Sequence, residues 1–153
     1  MSELLIAAED PRQPDVTGLV RELDRLFEGL YPAESNHLLD IETLARPEIR
    51  FFVLRRTGDA IGCGALWIHE EYGEVKRVYV RSDARGLKLG HLIIRKIEDE
   101  ARALHLPLLR LETGIHQPQA LGLFASAGFS ICGAFGDYPA DDPNSVFMEK
   151  RIA

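Results

Sequence analysis

The stretch Val78-Tyr79-Val80-Arg81-Ser82-Asp83-Ala84-Arg85-Gly86-Leu87-Lys88-Leu89-Gly90 joins a β-branched, aromatic run to a run of good helix formers that opens at about His91. The joint carries two arginines, a lysine and two glycines. A strand, a short basic loop and a helix N-terminus together form an anion cradle. The first-turn N–H groups have no partner inside the helix, and the helix dipole adds partial positive charge. Gly86 and Gly90 let backbone approach a ligand closely. The amides of Leu87, Lys88, Leu89, Gly90 and His91 are the donors a pyrophosphate would need, with Arg85 and Lys88 adding charge at the rim. Lys88 suits the cradle if its backbone is helical. A positive φ there would strain it and weaken binding.

The surrounding charge sharpens this reading. The chain carries a net charge of -6, which argues against a general nucleic-acid partner. Within residues 81–96, however, Arg81, Arg85, Lys88, Arg95 and Lys96 stand against Asp83 alone. A basic island on an acidic protein fits one bound anion and not a polyanion surface. The 153 residues predict a single domain spanning 1–153, and 46% hydrophobic with 27% charged residues is ordinary for a soluble globular chain. Cys63 and Cys132 lack ligand-like spacing, so no metal site is expected, and both read as small buried residues. No pair among His37, His69, His91, His105 and His116 has helical metal-ligand spacing. No stretch reads as a signal peptide or approaches ~20 apolar residues, so the expected compartment is the cytoplasm, with no membrane partner.

The elements that must position the cradle follow from periodicity. Ser2 to Ala8 is a short apolar run, a first strand broken by Pro11 and Pro14. Val16, Leu19, Leu23, Leu26, Phe27 and Leu30 fall at helical spacing and predict a helix over 16–30. A shorter helical signal covers Ser35 to Ala45. Arg50 to Arg56 and Ala60 to His69 are strands joined by the turn Thr57-Gly58-Asp59, a hairpin. Gly62 and Gly64 mark a bulge or a close backbone approach within it. Glu74 to Val80 is the next strand. Leu89, Ile93, Ile97, Ala101 and Leu104 line one face of the following helix. Leu108 to Glu112 is a strand, Pro118 starts a helix that Gly128 ends, and Phe129 to Cys132 is a short strand. A turn-rich loop over 136–144 leads to a last strand, Ser145 to Arg151. The order β-α-α-β-β-β-α-β-α-β-β predicts a mixed α/β sheet.

These segments resemble the GNAT acetyltransferase superfamily. The family's loop pattern is Gln/Arg-x-x-Gly-x-Gly/Ala, written here Arg85-Gly86-Leu87-Lys88-Leu89-Gly90, with Lys88 standing where the middle glycine is usual. Leu111-Glu112-Thr113-Gly114, Gln117-Pro118-x-Ala120-Leu121, Ala127-Gly128-Phe129, Phe135-Gly136-x-Tyr138 and Ser145-Val146-Phe147-Met148-Glu149-Lys150 are similar to one branch of small bacterial acetyltransferases. The resemblance spans most of the chain and is strongest from Glu74 to Lys150. It implies a mixed, mostly antiparallel sheet flanked by helices, with splayed central strands. It also implies acetyl-CoA as donor, a small-molecule or amino-acid-like amine as acceptor, no metal, and a homodimer as in many relatives.

In that family the strand before the loop and the strand after the helix part at their ends, and the pantetheine arm pairs with exposed backbone like an added strand. Here the backbone groups of Val78 and Val80, flanking Tyr79, are the expected partners, with the thioester carbonyl near the Val78 amide. Transfer to an amine needs removal of the ammonium proton and protonation of the leaving thiolate. Glu74 and Glu112, one on each parted strand, are the candidate bases, Glu74 working through a water relay. The family often places a tyrosine as general acid at the position of Phe124, which has no hydroxyl and reads as core or cleft wall. Three explanations stay open. Water protonates the thiolate, Tyr138 or Tyr79 substitutes, or activity has been lost. A thiol of pKa about 8.5 does not strictly require a dedicated acid.

Bland roles stand beside these. Glu74 is a solvent-facing strand residue on the simplest view, Glu112 a partner of local backbone, Tyr138 a cap on the core and Trp67 packing. Arg77 and Arg81 pair with carboxylates. Arg46 and Arg50 are basic residues that could meet an acceptor carboxylate. Two functions compete with acetyl transfer: a catalytically silent acyl-CoA-binding or regulatory module, and another kind of nucleotide binder. The chain has neither GxxxxGK[ST] nor GxGxxG after a strand, which disfavours the last.

Overall fold

The computed structural model describes residues 3–30, 40–84 and 88–153. The expected Arg85, Gly86 and Leu87 portion of the cradle, and the start of the second helical segment, lie outside the described residues. The chain runs β1 (Leu4–Ala8), α1 (Pro14–Leu30), α2 (Ile41–Leu44), β2 (Ile49–Arg56), β3 (Asp59–Ile68), β4 (Gly73–Val80), a 3-10 turn (Ser82–Ala84), α3 (Leu89–Ala103), β5 (Leu108–Gly114), α4 (Pro118–Ser126), β6 (Ser130–Cys132) and β7 (Ser145–Arg151). The predicted order is met throughout. Most boundaries move by a residue or two; the second helix, expected over Ser35 to Ala45, is described only as Ile41–Leu44 with Asp40 as its extended N-cap, and α3 opens at Leu89 and not at His91.

One seven-stranded sheet has the order β1-β2-β3-β4-β5-β7-β6. Every neighbouring pair is antiparallel except β4 and β5. The sheet is covered on both faces, and β2 shows why its sequence is almost continuously apolar. Successive side chains of a strand point to opposite faces. Phe52 and Leu54 pack with Ile93, Ile94 and Ile97 of α3, while Phe51 and Val53 pack with Val16, Leu19 and Val20 of α1. α3 buries the stripe its spacing predicts from Leu89 to Ala101, whereas α1 buries Val16, Leu19 and Leu23 but leaves Leu26 and Leu30 exposed beside the cleft.

The sheet is irregular where the cradle begins. In the β3–β4 ladder Cys63 pairs with Tyr79 and Ala65 with Lys76, so Gly64 alone faces Arg77 and Val78. The extra residue makes a β-bulge, which bends the strand and sharpens its twist. Arg77 takes a left-handed φ of 60°, an uncommon conformation for a residue with a side chain. Its surroundings hold it there: the buried guanidinium donates to Asp24 Oδ1 of α1 at 2.6 Å, and Cys63 Sγ donates to its carbonyl at 3.2 Å. Gly64 is required by close approach, since a Cβ there would lie 2.5 Å from Ile93 Cγ2. The glycine signal in β3 thus marks both of its expected meanings, a bulge and a tight contact with α3.

Candidate active site

The site begins where β4 and β5 stop pairing. Their parallel ladder holds Gly73 to Leu109, Glu74 to Arg110 and Val75 to Leu111, and goes no further among the described residues. Beyond the bulge the two strands separate. The opening continues into a cleft of about 480 Å³. One wall is Val78, Tyr79 and Val80 of β4. Another is the start of α3, and the rest comes from the N-terminal part of α4 and the apolar side of α1.

The start of α3 is built to face this cleft. Lys88, at the N-cap, makes no side-chain hydrogen bond to the first turn among the described residues. The Leu89 and Gly90 amides head that turn as anion donors, while the His91 amide donates to the Lys88 carbonyl at 3.1 Å. Gly90 keeps α4 close: a Cβ there would lie 2.7 Å from Leu123 Cδ2. His91 Nε2 and Ser126 Oγ, 2.7 Å apart, add a second tie between the helices. Lys88 itself has φ 57° and ψ 36°, the left-handed region. The condition under which lysine fits without cost, a right-handed helical backbone, is not met. Strain of about 1–2 kcal/mol is the ordinary penalty for a side chain held this way.

A narrow chamber of about 60 Å³ lies deeper, lined by Lys76, Val78, Glu112, Thr113 and Phe124 among others. Phe124 is 6% exposed and packs edge-on against Phe129, so it serves core and chamber wall together. Beside the chamber is a polar group that the fold gathers from three places. Glu74 is only 2% exposed, not a solvent-facing strand residue. Tyr138 Oη donates to Glu74 Oε2, and His69 Nε2 lies 3.1 Å from Glu74 Oε1. Lys76 Nζ donates to Tyr138 Oη at 2.5 Å and stands 3.5 Å from Glu74 Oε2. A carboxylate can only accept, so His69 carries its proton on Nε2 in this contact. Burial pulls the Lys76 ammonium below its ordinary pKa, against the attraction of Glu74 and Glu112. Burial, then the Glu74 charge, pushes the Tyr138 phenol above its ordinary value. Tyr138 is therefore a protonated donor across the working pH range. Glu112 accepts from Ser145 Oγ of β7 at 2.7 Å.

Tyr138 is fixed by aromatic edge contacts with Phe135 and Phe147, and Phe135 meets Tyr72 the same way. The residue thus both caps a core and reaches the site. Trp67 tilts against His69 at a ring separation of 4.5 Å, a packing role. Arg77 and Arg81 pair with carboxylates, Arg81 with Glu22 at 3.5 Å and Asp83 at 3.7 Å. Arg50 is engaged elsewhere, donating to the Pro47 carbonyl and to Glu100 of α3.

Sequence reasoning missed Lys76 and His69. The signal for Lys76 was present: Glu74 and Lys76 are two apart on one strand and so share a face. Nothing local announced that a tyrosine 62 residues later would join them. Among the described residues no group of three His, Cys, Asp or Glu could hold a metal ion. No helix there is long and apolar enough to cross a membrane.

Comparison with known proteins agrees with this geometry. Residues 17–129 match the model of the acetyltransferase (GNAT) family. The chain is 52% identical over 154 aligned residues to an IAA acetyltransferase of Azospirillum brasilense, covering 99% of this chain and all of that one. It is 36% identical to an uncharacterized N-acetyltransferase of Bacillus subtilis, over 96% of this chain and 99% of the relative. A crystal structure from Klebsiella pneumoniae, described as an acyl-CoA N-acyltransferase, superposes with a TM-score of 0.83 at 34% identity, covering 98% of each chain.

Proposed function

The chain belongs to the acetyltransferase (GNAT) family, and from that premise we propose how its own residues carry out acetyl-CoA-dependent N-acetylation. The observation that carries the proposal is the β4–β5 ladder ending at Val75 in front of a cleft headed by the start of α3. That arrangement suits the donor's chemistry. The pyrophosphate needs clustered N–H groups, which Lys88, Leu89 and Gly90 supply together with Arg85, Gly86 and Leu87; the His91 amide is held by the Lys88 carbonyl, and its residue lines the cleft. The pantetheine needs an unpaired strand edge, supplied by Val78, Tyr79 and Val80. The acetyl group is small, and the chamber beside Val78 and Phe124 is of matching size.

The acceptor enters over the face carrying Glu74, Lys76 and Glu112. Glu112 takes the ammonium proton, since its carboxylate lines the chamber itself while both Glu74 oxygens accept from Tyr138 and His69. Glu74 and Tyr138 act as positioning residues. The acceptor is a small molecule. A cytoplasmic setting fits two free cysteines, Cys63 being buried with its thiol pushed up to about 12 by that burial.

The test is calorimetry with acetyl-CoA followed by thiol detection over a panel of small amines, with IAA included. Saturable donor binding and acceptor-dependent release of free CoA are expected. Phe124, which offers no hydroxyl, favours one second reading: a silent acyl-CoA-binding module. It predicts the binding without the release.

A further inference from the structure

We propose that Lys76 is the general acid of the transfer, delivering a proton to the coenzyme sulphur in place of the hydroxyl that Phe124 lacks. The inference rests on the N-acetyltransferase reading above and assigns a residue to the one step that reading leaves without a donor.

The geometry carries it. Lys76 is on β4 two residues before Val78, the residue whose amide faces the thioester carbonyl in that reading. Lys76 and Val78 both border the chamber that Phe124 walls, and the Lys76 ammonium is held next to it by Tyr138 at 2.5 Å. Among the described residues no other nitrogen acid fits. The Arg77 guanidinium also borders the chamber, but it is turned onto Asp24 at 2.6 Å and does not give up protons in proteins. Tyr138 stands behind Lys76, as acceptor of its N–H and donor to Glu74. Tyr79 lines the outer cleft and not the chamber.

The surroundings suit an acid. The side chain is 8% exposed, and an isolated ammonium would not survive that burial as a charge. Burial lowers its pKa, with the Arg77 charge adding to that, while Glu74 on the same strand and Glu112 on β5 work the other way and favour the charged form. A lysine at its ordinary value of about 10.4 is a weaker acid than a thiol of about 8.5. Lowering it moves the proton toward the sulphur. The proton balance closes. As the acceptor nitrogen bonds to the acetyl carbon it carries one proton too many. As the C–S bond breaks, the sulphur keeps the electron pair. Nζ gives a proton to that pair, and the proton shed by nitrogen returns to Nζ. Counted from the neutral amine that remains once Glu112 has taken the ammonium proton, Lys76 ends as it began and one proton has moved from nitrogen to sulphur.

The experiment compares two acetyl donors in three proteins: wild type, Lys76→Met and Lys76→Arg. One donor is acetyl-CoA. The other is p-nitrophenyl acetate, whose leaving group departs without protonation. With acetyl-CoA, kcat should fall about 100- to 1,000-fold in Lys76→Met, the usual range for a lost acid. Lys76→Arg should fall comparably, because it keeps the charge beside Glu74 but cannot release a proton. With p-nitrophenyl acetate all three should agree within about threefold. Acetyl-CoA affinity by calorimetry should be unchanged in Lys76→Arg, which also confirms that it is folded. The assignment is overturned if Arg restores acetyl-CoA turnover, if both donors suffer alike, or if Lys76→Met keeps its kcat. A wild type that turns over no acceptor would instead refute the acetyltransferase reading itself.

Discussion

The phenol of Tyr138 donates to the carboxylate of Glu74 across 64 residues of chain, and this bond ties the loop before β7 to the first turn-facing residues of β4. Both groups are shielded from water, so neither can replace the other with solvent. Removing the hydroxyl takes away the close acceptor of the Lys76 ammonium and the donor to Glu74 Oε2, leaving His69 on Oε1. Tyr138→Phe should therefore lower stability by about 1–3 kcal/mol, the penalty for stranding buried polar groups. Acetyl transfer should slow by roughly tenfold or more through loss of positioning, an expectation of the same order as one lost hydrogen bond. Acetyl-CoA affinity should be unchanged, since the cleft is built from other residues. Urea titration, steady-state kinetics and calorimetry separate the three effects. An unchanged kcat would remove Tyr138 from the site.

Lys88 carries a second test because its backbone and its charge make separate contributions. The left-handed φ of 57° strains any side chain, while the ammonium helps only if an anion is nearby. Lys88→Gly and Lys88→Ala both discard the charge, and only glycine relieves the backbone. Glycine should be the more stable of the two by about 1 kcal/mol, measured by thermal unfolding. If the amine meets coenzyme phosphate, both should bind acetyl-CoA more weakly than wild type, with a shallower salt dependence. Equal stability of the two variants would show that the left-handed turn costs nothing.

What could be read from the sequence divides along a physical line. Spacing within a segment reports the faces of that segment. Leu89, Ile93, Ile97 and Ala101 announce the buried stripe of α3, and all four are buried. The alternating environments of β2 are harder, because a strand covered on both sides shows no alternation, yet its length and its turns define it. Gly62 and Gly64 told of an irregularity without saying which strand holds the extra residue. It sits at Arg77, where no local signal exists, because a left-handed arginine is held by Asp24 and Cys63 from distant elements. The burial of Glu74 was hidden for the same reason: its partners His69, Lys76 and Tyr138 are assembled by tertiary structure.

The clamp around Arg55 predicts an acid limb of stability. Its guanidinium donates to both Glu9 oxygens, at 2.8 and 3.0 Å, and to Asp15 Oδ2 at 2.8 Å, fixing the β1–α1 joint onto β2. Those hydrogen bonds hold both carboxyls below their ordinary values of 4.5 and 3.8. A carboxyl with a lowered folded pKa contributes stability that is complete above its unfolded pKa. The contribution is lost as pH falls through the folded one. Unfolding free energy should therefore decline as pH drops from about 5 toward 3, and Arg55→Met should flatten that decline. Because Asp15 is half exposed, screening keeps the effect to about 1 kcal/mol, and high salt should shrink it further. Urea midpoints at several pH values give the slope directly. A variant as acid-sensitive as wild type would assign the loss to other carboxylates.

The contact between Gly64 and α3 links the bulge to the cradle. A methyl at Gly64 would meet Ile93 Cγ2 at 2.5 Å and Ile97 Cδ1 at 3.1 Å, both on side chains with no exposed surface. Ile93 is β-branched and cannot swing away within a helix. The strain must go into moving α3 or β3, and α3 is the element whose first turn faces the cleft. Gly64→Ala should cost about 1–3 kcal/mol, the usual price of overpacking a filled core. Unlike a mere loss of stability, displacement of α3 should also weaken acetyl-CoA binding at temperatures where the variant is fully folded. The double variant Gly64→Ala/Ile93→Ala removes the obstructing branch. It should recover the coenzyme affinity while remaining less stable than wild type through the lost Ile93 methyls. Affinity that stays low in the double variant, with folding intact, would show that the bulge itself and not the position of α3 sets the cradle.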